Sequence, residues 1–191
     1  MKTEFEVVFM AIDKDEIIEK IKKLWWVCTK KNTLMKRVIF EVSNNKKCSY
    51  LRVRDEWEWK ITCTYKQQKE WDLDIHSIQE LETEIKDFDV MVNIFRKLWF
   101  KEKSYQETYR EIWEVNNEIE FMLDLWPWLK PYIEIEGENE EIVKKYSKLL
   151  EFDYSEWVFG TSFQIYEKEL GLSYEFVNNL KEITFDNIPG K

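Results

Sequence analysis

The feature that most constrains this chain is the pairing of like charges two residues apart inside short alternating runs. Glu4 and Glu6, Arg52 and Arg54, Glu82 and Glu84, and Glu134 and Glu136 are such pairs. Apolar residues such as Phe5, Val7, Leu51, Val53, Leu81, Ile133 and Ile135 hold the intervening positions. Side chains alternate between faces along a strand, so each pair places two like charges on one face and apolar groups on the other. A helix does not use this spacing, because residues two apart do not face each other there. Lys60 and Lys66 flank a threonine face, Thr62 and Thr64, in the same manner. Two readings are open. On an open sheet the charged faces meet solvent. In a closed barrel they line a polar interior, where acids hold divalent cations and arginines or lysines hold phosphate oxygens. The barrel is favoured because like charges at this spacing repel without a counter-charge between them. About eight strands also enclose room for one small ligand.

The rest of the pattern supplies strands and helices in the proportions of an α+β fold. Alternation predicts strands over 3–10, 35–42, 48–54, 60–66, 78–85, 103–115, 118–125 and 132–136. Apolar spacing predicts helices over 14–24, 88–98 and 138–150, with one or two short helices in 163–181. Asp13, with Glu16 three residues on, is a capping box, and Asp87 is the second N-cap. The expectation is a closed eight-stranded antiparallel barrel with flanking helices. It forms one domain over 1–191, with the barrel and its helices in 1–171 and a tail in 172–191.

Composition removes several classes. The formal net charge of −9 excludes general electrostatic attraction to nucleic acid or anionic lipid, though not a local basic pocket. No run approaches the roughly 18 apolar residues of a spanning helix. Acids stand near the start, where a secretion signal needs an apolar run. The chain therefore reads as cytoplasmic, a monomer or homodimer, with no membrane or nucleic-acid partner. Cys28, Cys48 and Cys63 are too scattered for a disulfide framework or a zinc site, and His76 reads as a surface-loop residue.

Several segments, in order, resemble the CYTH family, the triphosphate tunnel metalloenzymes, which includes class IV adenylate cyclases and thiamine triphosphatases. Glu4-Phe5-Glu6 resembles the family's Glu-x-Glu-x-Lys opening, and Leu34-Met35-Lys36-Arg37-Val38-Ile39-Phe40 its second strand. Leu51-Arg52-Val53-Arg54 is similar to its Leu-Arg-x-Arg segment, Thr62-Cys63-Thr64-Tyr65-Lys66 to a strand bearing a phosphate-binding lysine, and Leu81-Glu82-Thr83-Glu84 to its central acids. The stretch from Asp124 through Trp126-Pro127 to Glu134-Ile135-Glu136-Gly137 resembles a bacterial, adenylate cyclase-like subgroup.

The resemblance implies a tunnel barrel that binds a triphosphate with Mg²⁺ or Mn²⁺. Glu4, Glu6, Glu134 and Glu136 would hold the metal, joined by Glu120 and Asp124. Arg52, Arg54 and Lys66 would hold phosphate, with Arg37 and Arg110 added. Glu82 and Glu84 would orient the cations or a metal and, with Glu4 and Glu6, form the catalytic set. Hydrolysis of an inorganic, nucleoside or thiamine triphosphate is the expected activity. The alternatives are formation of cyclic AMP and pyrophosphate from ATP, and binding of polyphosphate or nucleotide without turnover. The chain departs from the family at Val8, where the signature has lysine, and at Met122, where another acid is expected.

Ten tryptophans and four glycines are an unusual ratio. Trp99, Trp25 and Trp26 follow helices, Trp57 and Trp59 fall in a hairpin, Trp71 lies in a polar loop, and Trp128 follows Trp126-Pro127. Glycine is usual at several of these places. Two readings are open: the tryptophans form a natural aromatic surface, or several of them stand for glycine, through engineering or through a codon read as tryptophan. Trp126 is instead expected to pack near the barrel mouth.

Overall fold

Alternation builds almost the whole architecture. In chain order the elements are β1 (Lys2–Thr3), β2 (Phe5–Phe9), α1 (Lys14–Lys23), β3 (Val27–Glu41), β4 (Ser49–Asp55), β5 (Ile61–Gln68), β6 (Ile78–Ile85) and α2 (Phe88–Lys97). They continue as β7 (Glu102–Val115), β8 (Ile119–Leu125), β9 (Tyr132–Gly137), α3 (Glu140–Leu149), α4 (Ser162–Leu170), α5 (Tyr174–Asn179) and β10 (Glu182–Ile183). The computed structural model describes residues 2–3, 5–24, 26–42, 49–56, 60–68, 78–158 and 162–187. Glu4, Cys48, His76, Trp25, Trp57, Trp59 and Trp71 lie outside the described residues.

The strands pair antiparallel in the order β1-β6-β5-β4-β3-β7-β8-β9-β2, and β10 adds to β7 in parallel. The sheet curls into a trough. The expected closed barrel is corrected here to an open half-barrel. Among the described residues β1 meets β6 through Lys2↔Glu80 and Thr3↔Gln79, while β2 pairs with β9 from Phe5↔Gly137 to Phe9↔Ile133. Among the described residues, the outer edge of β2 makes a bridge between Val8 and Val158.

The outer face of the sheet carries the main apolar packing. Val7, Phe121, Ile133 and Ile135 pack against Ile17 and Ile21 of α1 and Val143 and Tyr146 of α3. Val38, Phe40 and Val53 pack against Phe88 and Val92 of α2. Each such side chain contributes roughly 1.5–3 kcal/mol when fully buried. The helix starts follow the caps read from the sequence: Asp13 accepts from the amides of Asp15 and Glu16, and Asp87 from that of Val90.

β3 starts earlier than expected, at Val27. Its pairing with β7 shifts register between Cys28 and Lys30 and again between Lys30 and Thr33, which breaks the alternation a sequence reading relies on. Among the tryptophans, Trp26 stacks on Phe121 at 4.5 Å, and Trp113 and Trp126 are buried, so these pack as tryptophans do. Trp99 and Trp128 instead have φ of 64° and 71°, the left-handed region in which glycine is at ease. Trp99 follows the end of α2 and is 91% exposed, so no packing offsets its conformation.

Candidate functional site

The inner face of the trough collects the charged positions. A cavity of about 340 Å³ is lined by Glu6, Glu82, Glu120, Glu134, Glu136 and Asp124 and by Arg37, Arg52, Arg54, Lys66 and Arg110. Register explains the grouping. Arg37 lies opposite Arg54 across β3 and β4, and Thr62 and Thr64 lie opposite Arg54 and Arg52 across β4 and β5. Glu136 lies opposite both Glu6 and Glu120, and Glu134 opposite both Val8 and Met122.

The cationic wall is built on β3 and β4. Arg37 and Arg52 are buried, and Arg54 is 12% exposed. Arg37 donates to Thr108 Oγ1 at 2.6 Å, and Arg52 donates to Thr64 Oγ1 at 3.2 Å and to Glu82 at 3.5 Å. Arg54 pairs with Glu56. The Nε of each of these three arginines is nevertheless buried without a hydrogen-bond partner. A buried donor is normally satisfied, and guanidinium donors match phosphate oxygens. Burial, together with the charges of Arg54, Arg52 and Arg110, holds the Arg37 guanidinium well below its ordinary value. An anion placed against this wall reverses that penalty.

The acidic wall is built on β2, β8 and β9. One carboxylate oxygen from each of Glu6, Glu134 and Glu136 lies within 4.8 Å of the others. Three carboxylates this close repel unless a cation lies among them, and an all-oxygen donor set suits a hard divalent ion such as Mg²⁺ or Mn²⁺. The residues present therefore fit the metal. Burial pushes the Glu134 carboxyl up, but Arg110, Lys66, a hydrogen bond with Glu6 and Arg54 bring it below its usual range.

The sequence reading placed Asp124 with the metal acids and Arg110 with the phosphate cations. The structure pairs them with each other. Arg110 donates from Nε and Nη2 to the two oxygens of Asp124, each at 2.6 Å, and from Nη2 to Glu134 at 3.0 Å. Burial opposes the Arg110 charge, and Asp124 and Glu134 more than offset it. Glu120 lines the cavity but stands outside the three-carboxylate group. Glu82 reaches the arginines, whereas Glu84 is exposed and does not line the cavity. Val8 and Met122 both face inward and are buried, and Met122 Sδ takes a contact from Arg110 at 2.8 Å.

Glu56 had no role in the sequence reading. It is 4% exposed and contacts Arg54, Lys30 and Lys60. Burial works against its charge, and Arg54, Lys30 and Lys60 outweigh that to bring it to about 2. Only its parity with Arg52 and Arg54 could have marked it.

A family model described as the CYTH domain matches residues 3–159. A Methanocaldococcus jannaschii protein named "putative adenylate cyclase" is 31% identical over 151 residues, which is 78% of this chain and 83% of that one. Among solved structures, the PH1012 protein of Pyrococcus horikoshii superposes with a TM-score of 0.71 at 22% identity, covering 85% of this chain and 98% of that chain. A Hippeastrum protein, described as a "putative adenylyl cyclase" with a dominant triphosphatase activity, superposes with a TM-score of 0.60 at 14% identity. That alignment covers 91% of this chain and 99% of the Hippeastrum chain. At these identities the two structural likenesses are likenesses of fold. No helix among the described residues is long and apolar enough to cross a membrane.

Proposed function

The chain belongs to the CYTH family, and from that premise we propose that it binds a triphosphate in the trough and transfers the terminal phosphoryl group to water. The single observation that carries this reading is the meeting, around one cavity, of three arginines with unpartnered buried Nε–H groups and a cluster of three carboxylates. Arg37, Arg52 and Arg54 neutralise non-bridging oxygens and hold the phosphate chain along the β3–β4 wall, and Lys66 adds a fourth cation from β5. This wall stabilises charge that spreads over the transferring group, the main requirement of phosphoryl transfer. Glu6, Glu134 and Glu136 would hold Mg²⁺ or Mn²⁺, which supplies Lewis-acid charge on the phosphate oxygens when bound. Glu82 accepts from Thr64 at 2.7 Å and faces Arg52 and Arg54, so it orients the arginines. Arg110, enclosed by Asp124 and Glu134, positions the metal carboxylates.

A second reading, cyclisation of ATP, is favoured by the name of the Methanocaldococcus relative. Product analysis with tripolyphosphate, ATP and thiamine triphosphate, each with Mg²⁺ or Mn²⁺, separates the readings. The expected result is metal-dependent release of orthophosphate. Cyclic AMP with pyrophosphate replaces the hydrolase by the cyclase, and tight binding without product makes Val8 the mark of a binding protein.

A further inference from the structure

We propose that Glu56 is a positioning residue of the phosphate wall, holding the Arg54 guanidinium at the cavity, and that Lys30, turned inward by a bulge in β3, holds Glu56 in turn. The inference rests on the triphosphate reading above and adds to it the part that keeps one arginine in place.

The three wall arginines are not anchored alike. Arg37 donates to Thr108 Oγ1 and Arg52 to Thr64 Oγ1, both neutral hydroxyls on neighbouring strands. Arg54 has Thr62 opposite it on β5, but the Thr62 hydroxyl is buried without a hydrogen-bond partner. The anchors of Arg54 are carboxylates: Glu56 in direct contact with Nη2, and Glu82 at 3.9 Å. Glu82 also accepts from Thr64 and faces Arg52, which leaves Glu56 as the nearer support of Arg54.

Glu56 is itself fixed on several sides. It follows the last residue of β4 with the parity of Arg52 and Arg54, lines the cavity and is buried. Its amide donates to the Lys60 carbonyl at 2.9 Å, which ties its backbone to the approach of β5. One carboxylate oxygen meets Arg54, and the other meets Lys30 at 3.3 Å and Lys60 at 3.7 Å. A carboxylate held through both oxygens orders the cation it contacts, and an arginine already ordered loses less freedom when a ligand binds. One carboxylate does not neutralise three cations, so the group stays positive, and Arg54 keeps its Nε–H without a partner.

β3 supplies a second, independent observation. Thr33 lies opposite Arg110 and Lys30 opposite Ile112, so three steps along β3 answer two along β7. A regular strand would set Lys31 opposite Ile112, and Lys31 is instead exposed. The extra residue puts Lys30 at a position opposite the cavity-lining Ile112, where its Nζ reaches Glu56 and lies 3.5 Å from Sδ of the buried Met35. Bulges are frequent beside active sites, where they re-aim a side chain. Burial holds the Lys30 ammonium below its usual range, although Glu56 works against that.

The test is a double-mutant cycle on tripolyphosphate affinity, with Mg²⁺, read by calorimetry on variants whose folding is checked by urea unfolding. Glu56→Gln removes a negative charge beside an anion site, so a residue that only balanced charge would give tighter binding when changed. The loss of a positioning residue weakens binding instead, here by roughly fivefold or more. In an Arg54→Ala background the same change has no further effect, because the guanidinium it held is gone. Lys30→Met, a neutral side chain of similar reach, loosens Glu56 and weakens binding by a smaller factor, again only where Arg54 is present. It carries the test if Glu56→Gln does not fold. Tighter or unchanged binding in Glu56→Gln, or losses that persist in full without Arg54, overturns the inference and leaves the triphosphate reading standing. Arg54→Ala without effect overturns that reading and the inference with it.

Discussion

Arg110 and the arginines of the β3–β4 wall are the same residue type on the same face of one sheet, and their surroundings treat them in opposite ways. Arg110 has its Nε and an Nη on the two oxygens of Asp124, with Glu134 beside them. Arg37, Arg52 and Arg54 are as enclosed but keep a buried Nε–H without a partner. Acids are not missing from the second group, since Glu56 and Glu82 pair with it. They satisfy only part of the Arg52 and Arg54 guanidiniums, and Arg37 donates instead to Thr108. A fully paired arginine holds structure together, whereas a partly paired one is a stored demand for an anion. Mean burial would have ranked these four arginines alike, and the inventory of donors separates them.

The comparison breaks first at Arg52. Arg52→Ala or Arg54→Ala is expected to weaken tripolyphosphate binding by roughly 2–5 kcal/mol, measured by calorimetry, because it removes one of the unsatisfied donors. Unchanged affinity for either variant would remove the tunnel assignment. The next effect is on stability. Glu56→Gln is expected to cost on the order of 2 kcal/mol at neutral pH, read from urea unfolding. The Glu56 carboxyl is held at about 2 in the fold against an ordinary 4.5, so its contribution is present above 4.5 and is lost as pH falls through that interval. Wild type and variant should therefore converge in acid, and a gap that persists there would assign the loss to packing. On the acidic wall, Glu136→Gln is expected to lower Mn²⁺ affinity at least about tenfold, followed by electron paramagnetic resonance. Retained affinity would move the metal site elsewhere. Smallest is a change outside both walls. Trp99→Gly relieves a left-handed tryptophan and is expected to stabilise the fold by about 1 kcal/mol with ligand affinity unaltered. The intact mass of the protein from its native host shows directly whether glycine already stands there, and a mass matching tryptophan removes that expectation.

Parity was the legible part of the site. Glu6, Arg37, Arg52, Arg54, Lys66, Glu82, Glu134 and Glu136 all line the cavity because a period of two leaves no other face for them. β6 was legible because Glu80, Glu82 and Glu84 alternate with Leu81 and Ile85. The pairing of Arg110 with Asp124 was not, because it depends on the β7–β8 register, which sets residue 110 opposite residue 124 and is not written in either strand alone. The first half of β3 was hidden by two register shifts around Lys30. Closure of the barrel was not legible, because strand number alone does not set how the two ends of a sheet meet.

Residues 2–9 touch both ends of the sheet path, through β1 on β6 and β2 on β9. This has a kinetic consequence. β1 waits for Gln79 and Glu80 and β2 for Ile133 to Gly137, so neither can dock until those distant residues have been made. Contacts this distant in sequence slow folding, and an unpaired strand waiting for them is open to wrong pairing. The β1–β2 segment is thus made before its partners and fixed after them. The metal site inherits that order, because Glu6 can join Glu134 and Glu136 only when β2 settles onto β9.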